Sequence, residues 1–241
     1  MKFMHMFLAA ALAVSSATLG VVPSASAGSL DIGPVSFQLY GPERTATLTV
    51  RNTEAEAVQV QVRAFDWTQT GDNSLTASDI LQVSPPFFEL GPDQEQVVRL
   101  VITDAVDTSK EVAFRLFIDE VPDASIGETG VVVPLRIVLP VFLTPSIDAR
   151  PSLAWSVALD GDRLEVSATN TGDSRERIVD LALVDETANN STLIEGLAGY
   201  VLAGSTRTWT LDTTVLHSSD SILISGNGYG GAFHSTVTAQ Q

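Results

Sequence analysis

Hydrophobic and polar residues alternate along many short stretches of this chain, with the two-residue period that is typical of β-strands. In residues 45–51 the side chains of Ala46, Leu48 and Val50 share one face, and threonines and an arginine share the other. Other strand-like stretches occupy residues 29–39, where Gly33-Pro34 interrupts the apolar positions, and residues 57–65, 80–83, 87–90, 96–103 and 112–121. About seven strands within roughly 115 residues predict a β-sandwich, and no segment sustains a helical period.

The most apolar stretch after the first 30 residues is 130–145, with the sequence GVVVPLRIVLPVFLTP. Its period of two places five apolar side chains on one face: Val131, Val133, Leu135, Ile137 and Leu139. Pro134 and Pro140 exclude a helix and favour an edge strand, because proline has no N–H to donate to a neighbouring strand. A long apolar edge is an aggregation hazard unless it is covered or used. The residues alone leave open whether this is an interior strand of one sandwich or a strand that is lent to another protein.

A second series of predicted strands follows Pro145, at residues 153–159, 163–169, 178–184, 206–211 and 221–225. Turns are predicted between them, including the glycine-rich residues 226–231, and in the first half at residues 70–78. The linker at 144–151 contains two prolines. We therefore predict an all-β protein with an N-terminal domain at 28–145 and a C-terminal domain at 146–241.

Residues 1–27 have the pattern of a secretory signal peptide. Lys2 precedes an apolar run at residues 7–14, and Ala25-Ser26-Ala27 forms a small-residue cleavage site. The run is too short to span a membrane, so we expect an exported protein without membrane insertion. The chain contains no cysteine, which excludes disulfides, and its formal net charge of −16 argues against binding to nucleic acid or to an anionic membrane.

The sequence offers little catalytic chemistry. His217 and His234 lack partners at metal-ligand spacing, so no metal site is predicted. The glycine-rich residues 226–231 lack the lysine and hydroxyl residue of a phosphate-binding loop. We therefore predict a protein that is not an enzyme and needs no cofactor.

Several motifs, in this order and spacing, resemble the periplasmic pilus chaperones, the family that includes PapD. They are Leu48-Thr49-Val50-Arg51-Asn52, Trp67-Thr68-Gln69, Ser84-Pro85-Pro86-Phe87, residues 114–122 (FRLFIDEVP), Trp155 and residues 200–205 (YVLAGS). Residues 135–142, LRIVLPVF, resemble the corresponding strand of the archaic chaperone–usher branch. The resemblance covers essentially the whole chain after the predicted signal peptide.

The resemblance implies two immunoglobulin-like β-sandwich domains set at an angle, in the periplasm of a Gram-negative bacterium. It implies that the protein folds and caps pilus subunits and escorts them to an outer-membrane usher. By donor-strand complementation, a known form of β-strand addition, Val131, Val133, Leu135 and Ile137 would fill the groove of the subunit. Without a subunit, the exposed strand would favour self-association.

One feature departs from the family pattern. Family members anchor the carboxylate of the subunit's C-terminus with an arginine on the first strand and a lysine after the donor strand, whereas this chain has Pro34 and Pro140 at the aligned positions. Arg136 and Arg115 are the candidate replacements, and backbone amides are the alternative to them. The alternatives to a chaperone are a secreted adhesin or carbohydrate-binding module, and a hydrolase built on a pair of acidic residues.

Overall fold

The computed structural model describes residues 30–69, 74–103, 106–122, 134–160, 163–185, 191–212 and 221–240, which form β-strands, turns and short connections. The strands of the first half are β1 (Leu30–Gly33), β2 (Phe37–Tyr40), β3 (Thr45–Asn52), β4 (Val58–Thr68), β5 (Ser74–Ala77), β6 (Leu81–Ser84), β7 (Phe87–Leu90), β8 (Glu95–Ile102), β9 (Val112–Val121) and β10 (Arg136–Thr144). Those of the second half are β11 (Leu153–Asp160), β12 (Arg163–Asn170), β13 (Glu176–Asp185), β14 (Ser191–Val201), β15 (Thr206–Asp212), β16 (Ile222–Gly228), β17 (Gly231–Val237) and β18 (Ala239–Gln240). In this part of the chain, no helix has the length and apolar character to cross a membrane.

The first sandwich packs two sheets around one apolar core. One sheet has the strand order β1-β3-β8-β6, and the other has the order β2-β10-β9-β4-β5, with β7 also paired to β4. The inward residues of both sheets are almost fully buried, including Leu48, Val60, Val98, Leu116 and Ile118. This alternation of buried and exposed positions is the reason why these residues form strands with one apolar face.

The second sandwich is built in the same way from the remaining strands. Its sheets have the orders β15-β12-β11-β18 and β14-β13-β16-β17. Val166, Ile178, Leu181, Leu183 and Ile224 form the centre of its separate core. The fold class predicted from the sequence, all-β with two immunoglobulin-like sandwiches, is confirmed.

Four strands were not predicted: β5, β14, β17 and β18. β5 lies in residues 70–78, which were predicted as a turn or loop because they are polar and contain Gly71-Asp72-Asn73, and all four side chains of the strand are exposed. β14 carries two irregularities in its pairing with β13, which break the two-residue period. Residues 226–231 were predicted as a turn, but β16 continues to Gly228 and β17 begins at Gly231, so the turn is only two residues long.

Asn52, the last residue of β3, supports the turn that follows the strand. Its side chain is fully buried and donates hydrogen bonds to the carbonyls of Glu56, Leu90 and Gly91 at 2.7–3.2 Å. The backbone N–H of Glu54 donates to its carbonyl oxygen at 2.8 Å. This one amide therefore satisfies backbone groups that would otherwise be buried without partners.

Candidate functional site: an open strand edge and the cleft beside it

The edge of the first sandwich is formed by a segment that changes sheets. β1 pairs with β3 in one sheet, and after Gly33-Pro34 the chain continues as β2, which pairs with β10 in the other sheet. β2 pairs in parallel with residues Val141–Thr144 of β10, whereas β9 pairs with β10 along Arg136–Leu143. Residues 136–140, which we call the open half of β10, are therefore paired with a described strand on one side only.

The hydrogen-bond pattern identifies the groups that face this open side. The backbone N–H of Glu120 donates to the carbonyl of Leu135 at 2.9 Å, which directs the backbone groups of odd-numbered residues towards β9. Even-numbered residues point the other way, where the carbonyl of Thr144 accepts from Gly41 at 3.0 Å. Arg136 and Val138 thus present both N–H and C=O to the open side, and Pro140 presents only its carbonyl.

The side chains of the open half follow the predicted alternation. Leu135 and Ile137 are half-buried, Leu139 is buried, and Ile137 packs against the core of the first sandwich. Val138, on the opposite face, is 41% exposed. Val131 and Val133, the other two predicted groove-filling residues, lie outside the described residues. The described part of the strand therefore has an unpaired backbone edge and an incompletely covered apolar face.

Arg136 is held by an ion pair across the sheet. Its Nε donates to Oδ1 of Asp119, the residue directly opposite on β9. Arg63 on β4 donates to the other oxygen, Oδ2, at 2.6 Å. Burial raises the pKa of Asp119, but hydrogen bonds and charge from Arg136 and Arg63 outweigh this effect and leave the pKa below its usual value. The charge of Arg136 is therefore already engaged.

Arg115 lies in the cleft between the two sandwiches. Its guanidinium carbon is 3.7 Å from the centre of the Trp67 ring and 5.9 Å from that of Tyr200, which belongs to the second sandwich. Among the ion pairs of the described residues, none involves Arg115. Its pKa is lowered by burial and by the charge of Arg207, while Tyr200 acts in the opposite direction. The cation is thus partly desolvated and has no carboxylate partner in this part of the chain.

Arg115 also lies beside Pro140, one of the two positions at which the resemblance led us to expect a basic residue. In the β9–β10 register, Arg115 is the direct partner of Pro140. On the other side of the cleft, Arg207 of β15 has a pKa lowered by burial. Its guanidinium lies 3.5 Å from the carbonyl oxygen of Tyr200. The two arginines bring positive charge to the cleft of an acidic protein.

A second cluster joins the two sandwiches behind this cleft. Arg175 and Glu111 form an ion pair of 2.6 Å in which both side chains are at most 5% exposed. The guanidinium carbon of Arg175 lies 3.4 Å from the centre of the Phe142 ring, and the hydroxyl of Thr144 donates to Glu111 at 2.7 Å. Gln69 hydrogen-bonds with backbone groups of Tyr200 and Leu202 at 2.9 Å. β10, through Phe142 and Thr144, and Glu111 immediately before β9 therefore contribute side chains to the connection between domains.

Sequence reasoning missed Asp119, Glu111, Arg175 and Arg207. Two of the contacts join residues that are far apart in the chain: Asp119 and Arg136 are 17 positions apart, and Glu111 and Arg175 are 64 positions apart. No spacing rule along the chain identifies such pairs. A usable signal was the presence of charged residues within otherwise apolar strands, as in FRLFIDEV, because a charge in such a strand needs a partner.

The described aromatic residues do not form an exposed platform of the kind that binds sugars. Trp155 lies between Trp209 and Phe233, with ring centres 5.8 and 5.5 Å apart, and all three belong to the core of the second sandwich or pack against it. Trp67 is buried in the connection between domains. Within the described residues, no group of three or more His, Cys, Asp or Glu side chains is arranged to hold a metal ion. His217 lies outside these residues.

Solved structures with the same fold are pilus chaperones. CsuC, from the chaperone–tip adhesion subunit pre-assembly complex of the archaic chaperone–usher Csu pili of Acinetobacter baumannii, is 22% identical, with a TM-score of 0.69 over 89% of this chain and 100% of that chain. The YadV chaperone is 14% identical, with a TM-score of 0.63 over 88% and 100% of the two chains. The SafB chaperone of Salmonella enterica, in complex with SafA pilin, is 20% identical, with a TM-score of 0.59 over 88% and 98%.

No curated protein matches the sequence. Residues 29–147 match the family model described as pili and flagellar-assembly chaperone, PapD N-terminal domain. This range contains the first sandwich, including the whole described part of β10. The N-terminal domain of the chain therefore belongs to the PapD-like family of pili and flagellar-assembly chaperones, and the two-sandwich fold of the chain agrees with that of the solved pilus chaperones.

Proposed function

We propose that this protein folds and caps pilus subunits in the periplasm by lending them strand β10. The observation that carries the proposal is the open half of β10, where no described strand pairs with the outer backbone edge of Arg136 and Val138. Ile137 in this half and the preceding Leu135 are only half-buried. A subunit that lacks one strand of its own sandwich has the complementary defect, an apolar groove between two unpaired strand edges. Pairing with β10 satisfies both edges, as in other forms of β-strand addition.

Side chains provide most of the expected binding energy. Each aliphatic side chain that becomes fully buried contributes about 1.5–3 kcal/mol, and Val131, Val133, Leu135 and Ile137 are the proposed set. A backbone hydrogen bond contributes only about 0.5–1.5 kcal/mol net. An exposed ion pair contributes about 0–1 kcal/mol. The apolar residues should therefore decide whether a subunit is captured.

We further propose that Arg115 anchors the carboxylate of the subunit's C-terminus, with Arg207 on the opposite wall of the cleft. Of the two candidates from the sequence, Arg136 is paired with Asp119, whereas Arg115 has no carboxylate partner among the described residues. Arg115 is adjacent to Pro140, so its charge lies next to the site where the family lysine would be. A partly desolvated cation binds a carboxylate more strongly than an exposed one.

Three further parts of the proposal come from family membership. The chaperone delivers its subunit to an outer-membrane usher, it belongs to the archaic branch, and it self-associates through the open edge when no subunit is bound. None of these roles involves catalysis or a cofactor.

Leu135→Asp tests the donated strand. We expect this variant to lose capture of the subunit by at least about tenfold, because it places a charge in an apolar groove and removes a buried leucine. The measurement is co-purification, followed by titration, of the chaperone with a subunit encoded in the same pilus gene cluster and expressed in the periplasm.

The matched control is Val138→Asp, which introduces the same charge three residues further along the chain, on the opposite face of β10. Its capture of the subunit should decrease much less. Circular dichroism and thermal unfolding establish that both variants are folded. Equal capture by Leu135→Asp and the wild-type protein would contradict donation of this strand.

A further inference from the structure

Asp119 connects three neighbouring strands on the outer face of the first sandwich. Its Oδ1 accepts from Arg136 on β10, and its Oδ2 accepts from both Nε and a terminal nitrogen of Arg63 on β4, at 3.2 and 2.6 Å. The side chain of Asp119 is only 10% exposed, although both arginines are much more exposed. We call Asp119, Arg63 and Arg136 the Asp119 bridge.

Aromatic rings support both arms of the bridge. The guanidinium carbon of Arg136 lies 5.4 Å from the centre of the Phe117 ring, and that of Arg63 lies 5.6 Å from the centre of the Phe65 ring. The two rings are themselves in contact, with centres 4.7 Å apart. Cations over ring faces are attracted by the ring quadrupole, so these contacts limit the positions of the guanidinium groups.

The bridge is located where β10 is least supported. The other half of the strand lies between β9 and β2, and Val141, Phe142 and Leu143 are fully buried. The open half is paired with β9 alone, and Arg136 is its first residue. Few buried contacts and one free edge are the features of a segment that opens locally. An ion pair at this position therefore opposes detachment of the open half.

The hydrophobic pattern does not fix the register of the open half. Residues 131, 133, 135, 137 and 139 are all aliphatic, so a shift of two residues would leave the same kind of side chain on the inner face. Arg136 is the only charged residue between 130 and 145. A shift of two would place Pro134 or Val138 opposite Asp119, and neither side chain can donate a hydrogen bond. The ion pair between Arg136 and Asp119 therefore favours the observed register over a shift of two residues, which the apolar residues alone do not.

We propose that Arg136 is a positioning residue, which holds the open half of β10 extended and in register on β9 before a subunit arrives. The inference rests on the proposed function, since it concerns the strand that we propose is donated. A subunit then binds a strand that is already ordered. The apparent affinity of the chaperone for the subunit is therefore not lowered by a population of chaperone molecules in which the open half is detached from β9.

Amide hydrogen exchange of the free protein, followed by NMR, tests the positioning role. Ile137 and Leu143 are both paired with β9, one in the open half and one in the supported half. In Arg136→Ala we expect exchange at Ile137 to accelerate about three- to fivefold, the range for loss of one partly exposed ion pair, with no change at Leu143. Capture of the subunit should weaken in the same variant, by up to a similar factor.

Two variants separate positioning from a general loss of stability. Arg136→Lys keeps a cation opposite Asp119 and should restore most of the protection at Ile137. Arg63→Ala removes the arm that does not involve β10, so its effect at Ile137 should be smaller than that of Arg136→Ala. Unchanged exchange at Ile137 in Arg136→Ala, or an equal acceleration at Leu143, would overturn the positioning role. Full capture of the subunit by Leu135→Asp would overturn the proposed function instead, whatever the exchange rates show.

Discussion

At the scale of single residues, the charges near β10 have different roles that the sequence does not distinguish. Arg136 and Arg115 both interrupt apolar strands, and both were candidates for the carboxylate anchor. In the folded protein Arg136 pairs with Asp119, and Arg115 stacks on Trp67 in the cleft. The alternation of Leu135 and Ile137 with Arg136 and Val138 was predictable, because strand geometry fixes it locally. The partner of each charge was not, because it comes from a distant part of the chain.

The proposed anchoring role of Arg115 leads to a prediction about the subunit's terminus. Arg115→Ala should weaken capture of a subunit with a free C-terminal carboxylate by about 10- to 100-fold, the range for a charge-assisted hydrogen bond of about 1.5–3 kcal/mol. The same subunit with an amidated C-terminus, made by semisynthesis, should bind the wild-type protein and Arg115→Ala equally. Calorimetric titration gives both affinities.

Arg99→Ala is the control for the loss of one positive charge. Arg99 is an exposed residue of β8, in the other sheet of the same sandwich. Its replacement should leave both affinities unchanged. A comparable loss of affinity in Arg99→Ala would show that Arg115 acts through the net charge of the protein rather than through a site.

At the scale of elements, β10 has two parts: Val141–Thr144 pair with β2, whereas residues 136–140 form the open half. The sequence predicted the open edge in part and did not predict the pairing with β2. Two prolines and continuous apolar character indicated an edge strand, and Pro140 indeed presents no N–H on the side of β10 where β2 begins, opposite Val141. The change of sheet between β1 and β2, which creates the open half, could not be derived from the residues. Which strand pairs with which depends on long-range packing, and the local alternation is the same in either sheet.

The Asp119 bridge predicts that the free energy of unfolding decreases in acid. The folded-state pKa of Asp119 lies below its unfolded value of about 3.9, so the folded protein binds fewer protons at this residue. Its contribution to stability is therefore fully present above about pH 4 and is lost as the pH falls through the folded-state pKa. The charged groups that face it are Arg63 and Arg136.

Urea denaturation of the wild-type protein and Asp119→Asn between pH 7 and pH 2.5 measures this contribution. The difference in the free energy of unfolding should be constant above about pH 4 and should decrease below it, because a protonated aspartic acid resembles asparagine. A difference that stays constant throughout the range would contradict a lowered pKa for Asp119.

At the scale of the whole molecule, the two sandwiches are joined by side chains from the strands that form the candidate site. The sequence predicted two domains because two series of alternating stretches flank a proline-containing linker. It could not predict the buried pair of Glu111 and Arg175 or the packing of Phe142 against Trp67 and Tyr200. Such contacts depend on how two completed sandwiches are placed against each other.

Arg175→Ala should destabilise the protein strongly. It leaves the Glu111 carboxylate buried without a counter-charge, for which a loss of about 3–5 kcal/mol is expected. Calorimetric unfolding measures the effect and shows whether the two sandwiches then unfold separately. Arg177→Ala is the matched control, because Arg177 is an exposed arginine two residues along the chain and should change stability by less than about 0.5 kcal/mol. Equal effects of the two substitutions would contradict a structural role for the buried pair.

The short strand β2 limits the length of any guest strand. Since β2 occupies the side of β10 from Val141 onward, an added strand can pair only as far as residue 140 before it meets the start of β2 at Phe37. Arg115 is the cross-strand neighbour of that last position. A guest whose final residue stops there places its terminal group beside the guanidinium, whereas a chain extended by a few residues would collide with β2. The chaperone would thus select subunits by where their polypeptide ends, as well as by the shape of their groove.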